Sequence, residues 1–196
     1  MDKSQTQSFA QYLLPHLCYI LTAIIICSQG WVNDGHIIGG GDQPDWTGTA
    51  WAYWWTGFSL DQGWNPFDGT HNYFPIGQQP VAQYNLFDAL LAYPFIKLFG
   101  MATGYNLFAT AIVYSTGMAM HHLVRSIGLS VLPAFFAGLT LCTSSFMMLE
   151  LQHGRLSQAL LCFWLMGLCG LYKLSRGDGS RWLAARTGVY IAITAM

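Results

Sequence analysis

Charged residues are scarce in this chain of 196 residues, where Asp, Glu, Lys and Arg make up only 9% and hydrophobic residues 53%. Soluble domains average about 25% charged residues, so the surface cannot mostly face water, and we expect an integral membrane protein. A basic excess is also missing, because eight Lys and Arg stand against nine Asp and Glu. Nucleic-acid binding usually needs a basic patch, so we expect no nucleic-acid partner.

The sequence also lacks the common short motifs of catalysis and metal binding. No GxSxG, HExxH or P-loop pattern occurs. The five cysteines lie inside apolar runs without CxxC or Cys/His spacing, which predicts buried free thiols and no disulfide or zinc site. The first apolar run, at about residues 9–29, has no strongly basic start and no A-x-A-like cleavage site. We therefore predict a retained transmembrane helix.

Apolar runs of membrane-spanning length follow. A bilayer crossing requires about 20 residues, and three clean runs come close to it, at 104–124, 129–149 and 156–174. A last run begins near Trp182 and is still apolar at Met196. Because it is short of a full crossing, we expect the chain to be the N-terminal part of a larger membrane protein.

A further apolar run, at 84–99, contains Asp88, Pro94 and Lys97. A charge at mid-membrane costs ~2.5–3.5 kcal/mol on insertion scales. We therefore predict a helix along the membrane interface, broken or bent near Pro94, with Asp88 facing protein or water.

The placement of lysine and arginine predicts the orientation. With a cytoplasmic N-terminus and no crossing at 84–99, only Lys97 and Arg155 fall outside. The other basic residues then fall inside, namely Lys3, Arg125, Lys173, Arg176, Arg181 and Arg186. Residues 30 to about 101 become one long extracytoplasmic segment, and a loop of that length is usually functional.

Taken together, these patterns predict an all-α membrane protein. We expect a polytopic transmembrane helix bundle whose long first extracytoplasmic loop contains interfacial helices. Composition does not shift along the chain, so residues 1–196 are predicted to form a single transmembrane domain. The expected location is the plasma (inner) membrane.

Two carboxylates, Asp42 and Asp45, follow three glycines at 39–41. A structural interpretation is that Asp42 caps a helix, Pro44 occupies its first turn and Asp45 complements its dipole. A functional interpretation is that a carboxylate at a helix start, beside glycines that leave space for a substrate, acts as a general base or metal ligand. Both can hold, and a divalent metal is the one cofactor that the motif leaves open.

Aromatic residues follow this motif, and we predict that Trp51, Trp55 and Phe58 form one helix face, with Tyr53 and Trp54 to the side at the membrane interface. In the first helix, His16 follows a proline. We predict a packed or interhelical hydrogen-bonding histidine there in preference to a metal ligand.

The order of these features resembles the N-terminal half of the GT-C class of membrane glycosyltransferases. That class has a first transmembrane helix and then an outer loop opening with Asp-Glu-x-x-aromatic, which Asp42-Gln43-Pro44-Asp45-Trp46 matches in its first Asp and its aromatic, with Gln43 where Glu is common. A proline-marked interfacial helix ending in Phe99-Gly100 follows. Then come a helix ending in Arg125, a small-residue helix from Ala134 to Ser145 and a short outer loop. Residues 63–68 and 73–77 also resemble poorly characterised bacterial and archaeal proteins of this class.

The resemblance implies transfer of a sugar from a polyprenyl-phosphate-linked donor to an acceptor at the extracytoplasmic face. By position, Asp42 is the candidate base, and Asp45 is a helper or metal ligand. Substrate contacts would come from the remaining matched or loop residues, which are Trp46, His71, Glu150, His153 and Arg155. Glu150 and His153 would lie in the short outer loop where this class sometimes supplies a second acidic group, and Arg155 would pair with a phosphate.

Alternatives remain open at this point. Glu150 and Arg155 could form a solvated pair at a loop end. A non-catalytic integral membrane protein that assembles or binds an envelope glycan is the second hypothesis for the whole chain, and a transporter is the third. The expected partners are a lipid-linked sugar donor and membrane lipid, and the sequence carries no signal for oligomeric state.

Overall fold

The structure is a computed structural model, and it describes residues 3–32, 37–39, 44–67, 86–177 and 180–194. This part of the chain is helical, and no strand occurs in it. Its helices are α1 (Lys3–Ile26), α2 (Ser28–Val32), α3 (Pro44–Gln62), α4 (Leu86–Phe99), α5 (Met101–Ser126), α6 (Val131–Cys142), α7 (Ser145–Gln152), α8 (Leu156–Ala159), α9 (Cys162–Ser175) and α10 (Arg181–Thr194). The all-α prediction is confirmed.

Three helical stretches are long and apolar enough to cross a membrane. They are Met101–Ser126 with 26 residues, Val131–Gln152 with 22 and Leu156–Ser175 with 20. These are the three runs that the sequence predicts as spans, and they fit an integral membrane protein. The apolar part of α1 described with its side chains, Leu13–Ile26, is shorter, so a crossing by the first helix stays a prediction.

The second of these stretches is interrupted between α6 and α7. The Thr143 hydroxyl donates to the Leu139 carbonyl at 2.9 Å, and the Ser144 hydroxyl donates to the Leu141 carbonyl at 2.8 Å. Such bonds from a side chain back to the preceding turn let Ser and Thr compete with the helix backbone. The small polar residues that close the Ala/Gly-rich run therefore mark a local break before α7.

The chain divides into two compact units, which are described separately. The first contains Met1–Ser28, Thr110–Met148 and Ala159–Met196, and the second contains Gln29–Ala109 and Leu149–Gln158. The prediction of a single domain is not tested by this division.

In the first unit, a buried tyrosine links α1 to α5 and α6. The Tyr19 hydroxyl donates to the Phe135 carbonyl at 2.8 Å. A Cβ at Gly117 would lie 3.0 Å from the Tyr19 ring, and one at Gly138 would lie 2.7 Å from its Cζ. Small residues permit close helix packing in membranes, so these two glycines provide the space that the tyrosine fills.

The polar and sulfur groups of the first unit largely follow the sequence predictions. His16 Nδ1 lies 2.7 Å from the Tyr114 hydroxyl on α5, which confirms the interhelical hydrogen bond. All five cysteines are free; Cys27, Cys142 and Cys169 are buried, and Cys18 and Cys162 are half-buried.

In the second unit, α3 begins at Pro44 and has Asp45 in its first turn, as predicted. The helix α4 runs without interruption through Pro94, so it is not broken there. Proline removes the bond to the carbonyl four residues earlier, and both Leu90 and Pro94 are exposed, so that carbonyl is not left in the core. A bend at Pro94 and the interfacial position of α4 stay predictions.

Tyr53 does not lie at the side of α3 as the sequence predicted; it is buried. Its hydroxyl donates to Asp88 Oδ2 on α4 at 2.6 Å. A buried phenol needs a hydrogen-bond partner, and Asp88 supplies it. The prediction that Asp88 faces protein or water is confirmed, since its side chain faces Tyr53.

Candidate functional site

The candidate site forms where the start of α3 meets the turn after α7 within the second unit. Asp45 Oδ2 accepts from Arg155 Nε at 2.7 Å and lies 2.6 Å from Arg155 Nη2. The two side chains are 46% and 36% exposed. An ion pair this exposed contributes about 0–1 kcal/mol to stability. Little free energy is therefore lost if Asp45 or Arg155 gives up the other residue and binds a ligand instead.

Glu150 lies beside this pair, but it is buried, with 4% of its surface exposed. Its Oε2 is 3.9 Å from Arg155 Nη1, beyond hydrogen-bond distance, and accepts no hydrogen bond from the described part of the chain. Leaving a buried carboxylate oxygen without a donor is costly. A ligand that donates to this oxygen would remove that cost.

Two expectations for Glu150 are therefore wrong. The alternative of a solvated pair at a loop end fails because Glu150 is buried. The short outer loop does not contain it either, because α7 continues to Gln152. The apolar residues on both sides of Glu150 extend the helix through it and carry it into the protein interior.

The turn after α7 is shaped by a glycine that packs against the acidic motif. Gly154 has φ +69°, and a Cβ there would lie 2.8 Å from Trp46 Cα. The Gly154 carbonyl accepts from the Tyr105 hydroxyl at 3.3 Å. His153 precedes it, and its Nδ1 is buried and has no partner in the described residues. The turn thus brings His153 and Arg155 to Trp46 and Asp45.

Gly39 has a structural role that the sequence interpretation missed. With φ +76°, it packs on the same turn, since a Cβ would lie 2.9 Å from Gly154 N and 3.0 Å from the Gln152 carbonyl oxygen. The space beside Gly39 is therefore filled by protein and does not admit substrate, contrary to the functional interpretation for this glycine. Gly40 and Gly41 lie outside the described residues, so for them that interpretation stays a prediction.

Asn106 fixes the segment that contains Gly39. Its side chain is buried, its Oδ1 accepts from Ile38 N at 2.9 Å, and its Nδ2 donates to the Gly30 carbonyl at 2.9 Å. The signal in the sequence was a single amide near the start of the apolar run 104–124, since polar groups in such runs usually bond to other protein groups.

A second buried carboxylate, Asp88, lies elsewhere in the same unit. It is 2% exposed, and burial raises the pKa of Asp88 to about 7, although its hydrogen bond from Tyr53 acts in the opposite direction. The pKa of Tyr53 is raised well above its ordinary value, first by burial and then by Asp88. The only signal for this pair was an acidic residue within an apolar helix.

Five of the seven predicted site residues are thus brought together, namely Asp45, Trp46, Glu150, His153 and Arg155. Asp42 and His71 lie outside the described residues. The described side chains contain no group of three or more His, Cys, Asp or Glu that could hold a metal ion. Within these described residues, Asp45 and Glu150 supply two carboxylates, and Arg155 engages Asp45. The metal-ligand interpretation of the acidic motif also involves Asp42, which lies outside them.

Comparison of the chain with protein-family models, with curated proteins and with solved structures finds no match. The residues of the site and the order of features along the sequence are therefore the basis for proposing a function.

Proposed function

We propose that this chain acts in sugar transfer as a GT-C-type glycosyltransferase, the class whose N-terminal half it resembles. It would move a sugar from a polyprenyl-phosphate-linked donor to an acceptor at the extracytoplasmic membrane face. The observation that supports this most is the convergence of Asp45 and Arg155, which are 110 positions apart in the chain. They meet beside a buried Glu150 oxygen that has no hydrogen-bond partner among the described residues. The GT-C resemblance assigns these same stretches to the acidic motif and to the second acidic group.

In the proposed reaction, Arg155 exchanges Asp45 for oxygens of the donor phosphate. A guanidinium matches phosphate geometry with paired hydrogen bonds, and the half-exposed pair permits the exchange. The bond between the sugar carbon and the phosphate oxygen breaks with its electrons left on the phosphate. Arg155 stabilises that charge, while the acceptor nucleophile forms the new bond to the sugar.

The acceptor must lose a proton in this reaction, and Asp42 is the proposed base. Asp42→Asn in the full-length protein tests this role, because asparagine caps helices about as well as aspartate but cannot accept the proton. General bases contribute about 10²–10⁴-fold to rate, so sugar transfer should fall by that factor while expression and membrane insertion stay normal.

Parallel variants identify the carboxylate. If Asp42→Asn keeps wild-type transfer and Asp45→Asn or Glu150→Gln abolishes it, the base has been assigned to the wrong residue. If none of the three substitutions lowers transfer, the enzyme proposal is refuted.

The proposal includes an orientation with a cytoplasmic N-terminus in the plasma (inner) membrane. It follows from the distribution of lysine and arginine. Single cysteines introduced at Lys3, Trp64 and Arg176, in a variant without the five native cysteines, can be labelled in intact cells with an impermeant reagent. Labelling at position 64 alone is expected. Strong labelling at position 176 would refute the topology.

A second candidate is a non-catalytic protein that binds or assembles an envelope glycan. The aromatic surface of α3 favours it, because Trp54 is 48% exposed and stacks on Phe58 with ring centroids 5.3 Å apart. Binding of a glycan with no consumption of any lipid-linked donor by the full-length protein would support this candidate over transfer.

A transporter is the third candidate, because the predicted spans contain few ionisable groups of the kind that transporters use.

A further inference from the structure

A cavity between α3 and α4 lies apart from the residues of the proposed reaction. It has a volume of about 330 Å³, within the range of small-molecule sites. Its walls are largely aromatic, from Tyr53, Trp54, Phe58 and Tyr93, and its polar groups are Asp61 and Lys97. All of these residues belong to the second unit.

The aromatic wall presents flat apolar surface. Trp54 and Phe58 stack with an interplanar angle of 16°, and Trp54 is 48% exposed. Aromatic rings bury much apolar surface in well-defined geometries. An exposed stack beside a cavity therefore favours a ligand with a flat apolar face.

The polar groups of the cavity form one hydrogen-bonded set. Asp61 Oδ1 accepts from the Tyr93 hydroxyl at 2.6 Å, and Asp61 Oδ2 accepts from Lys97 Nζ at 2.6 Å. The ammonium retains further donors and the carboxylate further lone pairs. Because the charges of Asp61 and Lys97 cancel, the set offers donors and acceptors without favouring an anion or a cation.

We propose that this α3–α4 cavity binds a neutral sugar unit. The apolar face of a pyranose ring would lie on Trp54 and Phe58, and its hydroxyls would bond to Asp61, Lys97 and Tyr93. The charge balance opposes a phosphate, which would meet the Asp61 carboxylate. It also opposes an ammonium ligand, since Lys97 already supplies the cation beside that carboxylate. An acyl chain would leave the polar set unused.

Glycine positions on α3 allow a test that keeps the helix intact. Gly57 lines the cavity, and a Cβ there would make an ordinary contact with the Tyr93 ring at 3.4 Å. A Cβ at Gly48, on the same helix, would meet nothing within 4 Å. Leucine is a better helix former than glycine, so neither Gly57→Leu nor Gly48→Leu should weaken α3, but only Gly57→Leu fills the cavity.

The experiment measures binding to the full chain in nanodiscs, purified without alkyl-glycoside detergents because these would compete. Saturation-transfer NMR is recorded with the methyl pyranosides of glucose, galactose, mannose and N-acetylglucosamine, and with inorganic phosphate and choline as charged probes. At least one glycoside should bind saturably. Gly57→Leu should weaken that binding at least about tenfold, the effect of filling a shaped pocket, and Asp61→Asn should weaken it less, while Gly48→Leu should leave it unchanged.

Three outcomes would overturn the inference: no glycoside binds the wild-type protein, the two leucine variants behave alike, or phosphate or choline binds in place of the glycosides and Gly57→Leu blocks it. No donor is present and Asp42 is intact in this experiment. Its result is therefore independent of whether the chain transfers a sugar.

Discussion

Two buried carboxylates in the same compact unit, Asp88 and Glu150, are held in opposite ways. Asp88 accepts a short hydrogen bond from a buried tyrosine and has no cation within reach in the described residues. Glu150 lies 3.9 Å from a guanidinium, and one of its oxygens receives no hydrogen bond from the described part of the chain. The first is a completed internal contact, whereas the second leaves one carboxylate oxygen able to accept a further hydrogen bond.

The contrast favours Glu150 over Asp88 as the carboxylate of a functional site. A carboxylate satisfied by a neutral donor and shielded from solvent serves packing, and burial raises its pKa towards neutrality. A carboxylate kept beside an arginine but not bonded to it costs stability in the absence of a ligand. Functional sites commonly retain such costs.

The largest expected effect is a difference in sugar-transfer rate between variants of the two carboxylates, Glu150 and Asp88. Glu150→Gln should lower sugar transfer on the order of 10²-fold, as expected for loss of a charged group at the reacting centre. Asp88→Asn should leave the rate near the wild-type value, because Asp88 contacts Tyr53 and not the proposed site. The measurement is transfer by the full-length protein from a lipid-linked donor. Equal losses in the two variants would break the comparison.

The next prediction concerns pH. Because the folded-state pKa of Asp88 is raised from its ordinary 3.8 to about 7, the folded protein retains a proton that the unfolded chain releases. Stability should therefore fall as the pH rises from about 4 to 7, by a few kcal/mol in order of magnitude, and then level off. Unfolding is followed at several pH values.

Comparing the free energy of unfolding of variants separates the contribution of Asp88 from that of the other carboxylates. Asp88→Asn should remove the decline and be more stable than the wild type at pH 8, since asparagine still accepts the bond from Tyr53. Glu150→Gln should keep the decline. If the free energy of unfolding of the wild type changes with pH in parallel with that of Asp88→Asn, Asp88 does not hold the proton.

A third prediction tests the turn that holds the Glu150 region. Gly154→Ala should cost about 2–4 kcal/mol, because the left-handed backbone alone costs about 1–2 kcal/mol and a Cβ there also overlaps Trp46. Gly63→Ala is the matched control, with φ +68° against +69° and nothing within 4 Å of its Cβ. In equilibrium unfolding, Gly63→Ala should lose only the free energy that the left-handed backbone costs. Equal losses of unfolding free energy in the two variants would mean that Trp46 does not pack on the turn.

The smallest effect concerns the partner of Asp88. Tyr53→Phe removes the only side-chain donor that Asp88 has in the described residues, so the buried carboxylate keeps backbone donors alone. The substitution should cost about 1–3 kcal/mol at pH 8. Tyr93→Phe is the control, since it removes an exposed bond from Asp61 while Lys97 still pairs with that carboxylate. Its expected cost is below about 1 kcal/mol. A loss for Tyr53→Phe no larger than this would mean that Asp88 finds another partner.

The amino-acid sequence was enough to predict a helical membrane protein and its three long apolar helices. Scarcity of charge and the length of the runs at 104–124, 129–149 and 156–174 require helices, because only internally bonded backbone is tolerated in lipid. The start of α3 at Pro44 and the helix that follows residue 85 were also readable, since proline and apolar periodicity act locally. So was the interhelical role of His16.

Which polar groups contact one another became visible only in the folded protein. Asp45 and Arg155 are 110 positions apart, and no local rule predicts that contact. The sequence pattern predicted Glu150 in a short loop, either solvated or in contact with substrate, whereas the packing of α7 buries it. In the same way, the contact between α3 and α4 buries Tyr53 against Asp88. Helix formation depends mainly on residues adjacent in the sequence. The burial of a side chain and its choice of partner depend on elements that are distant in the chain, and the candidate site is built from contacts of this second kind.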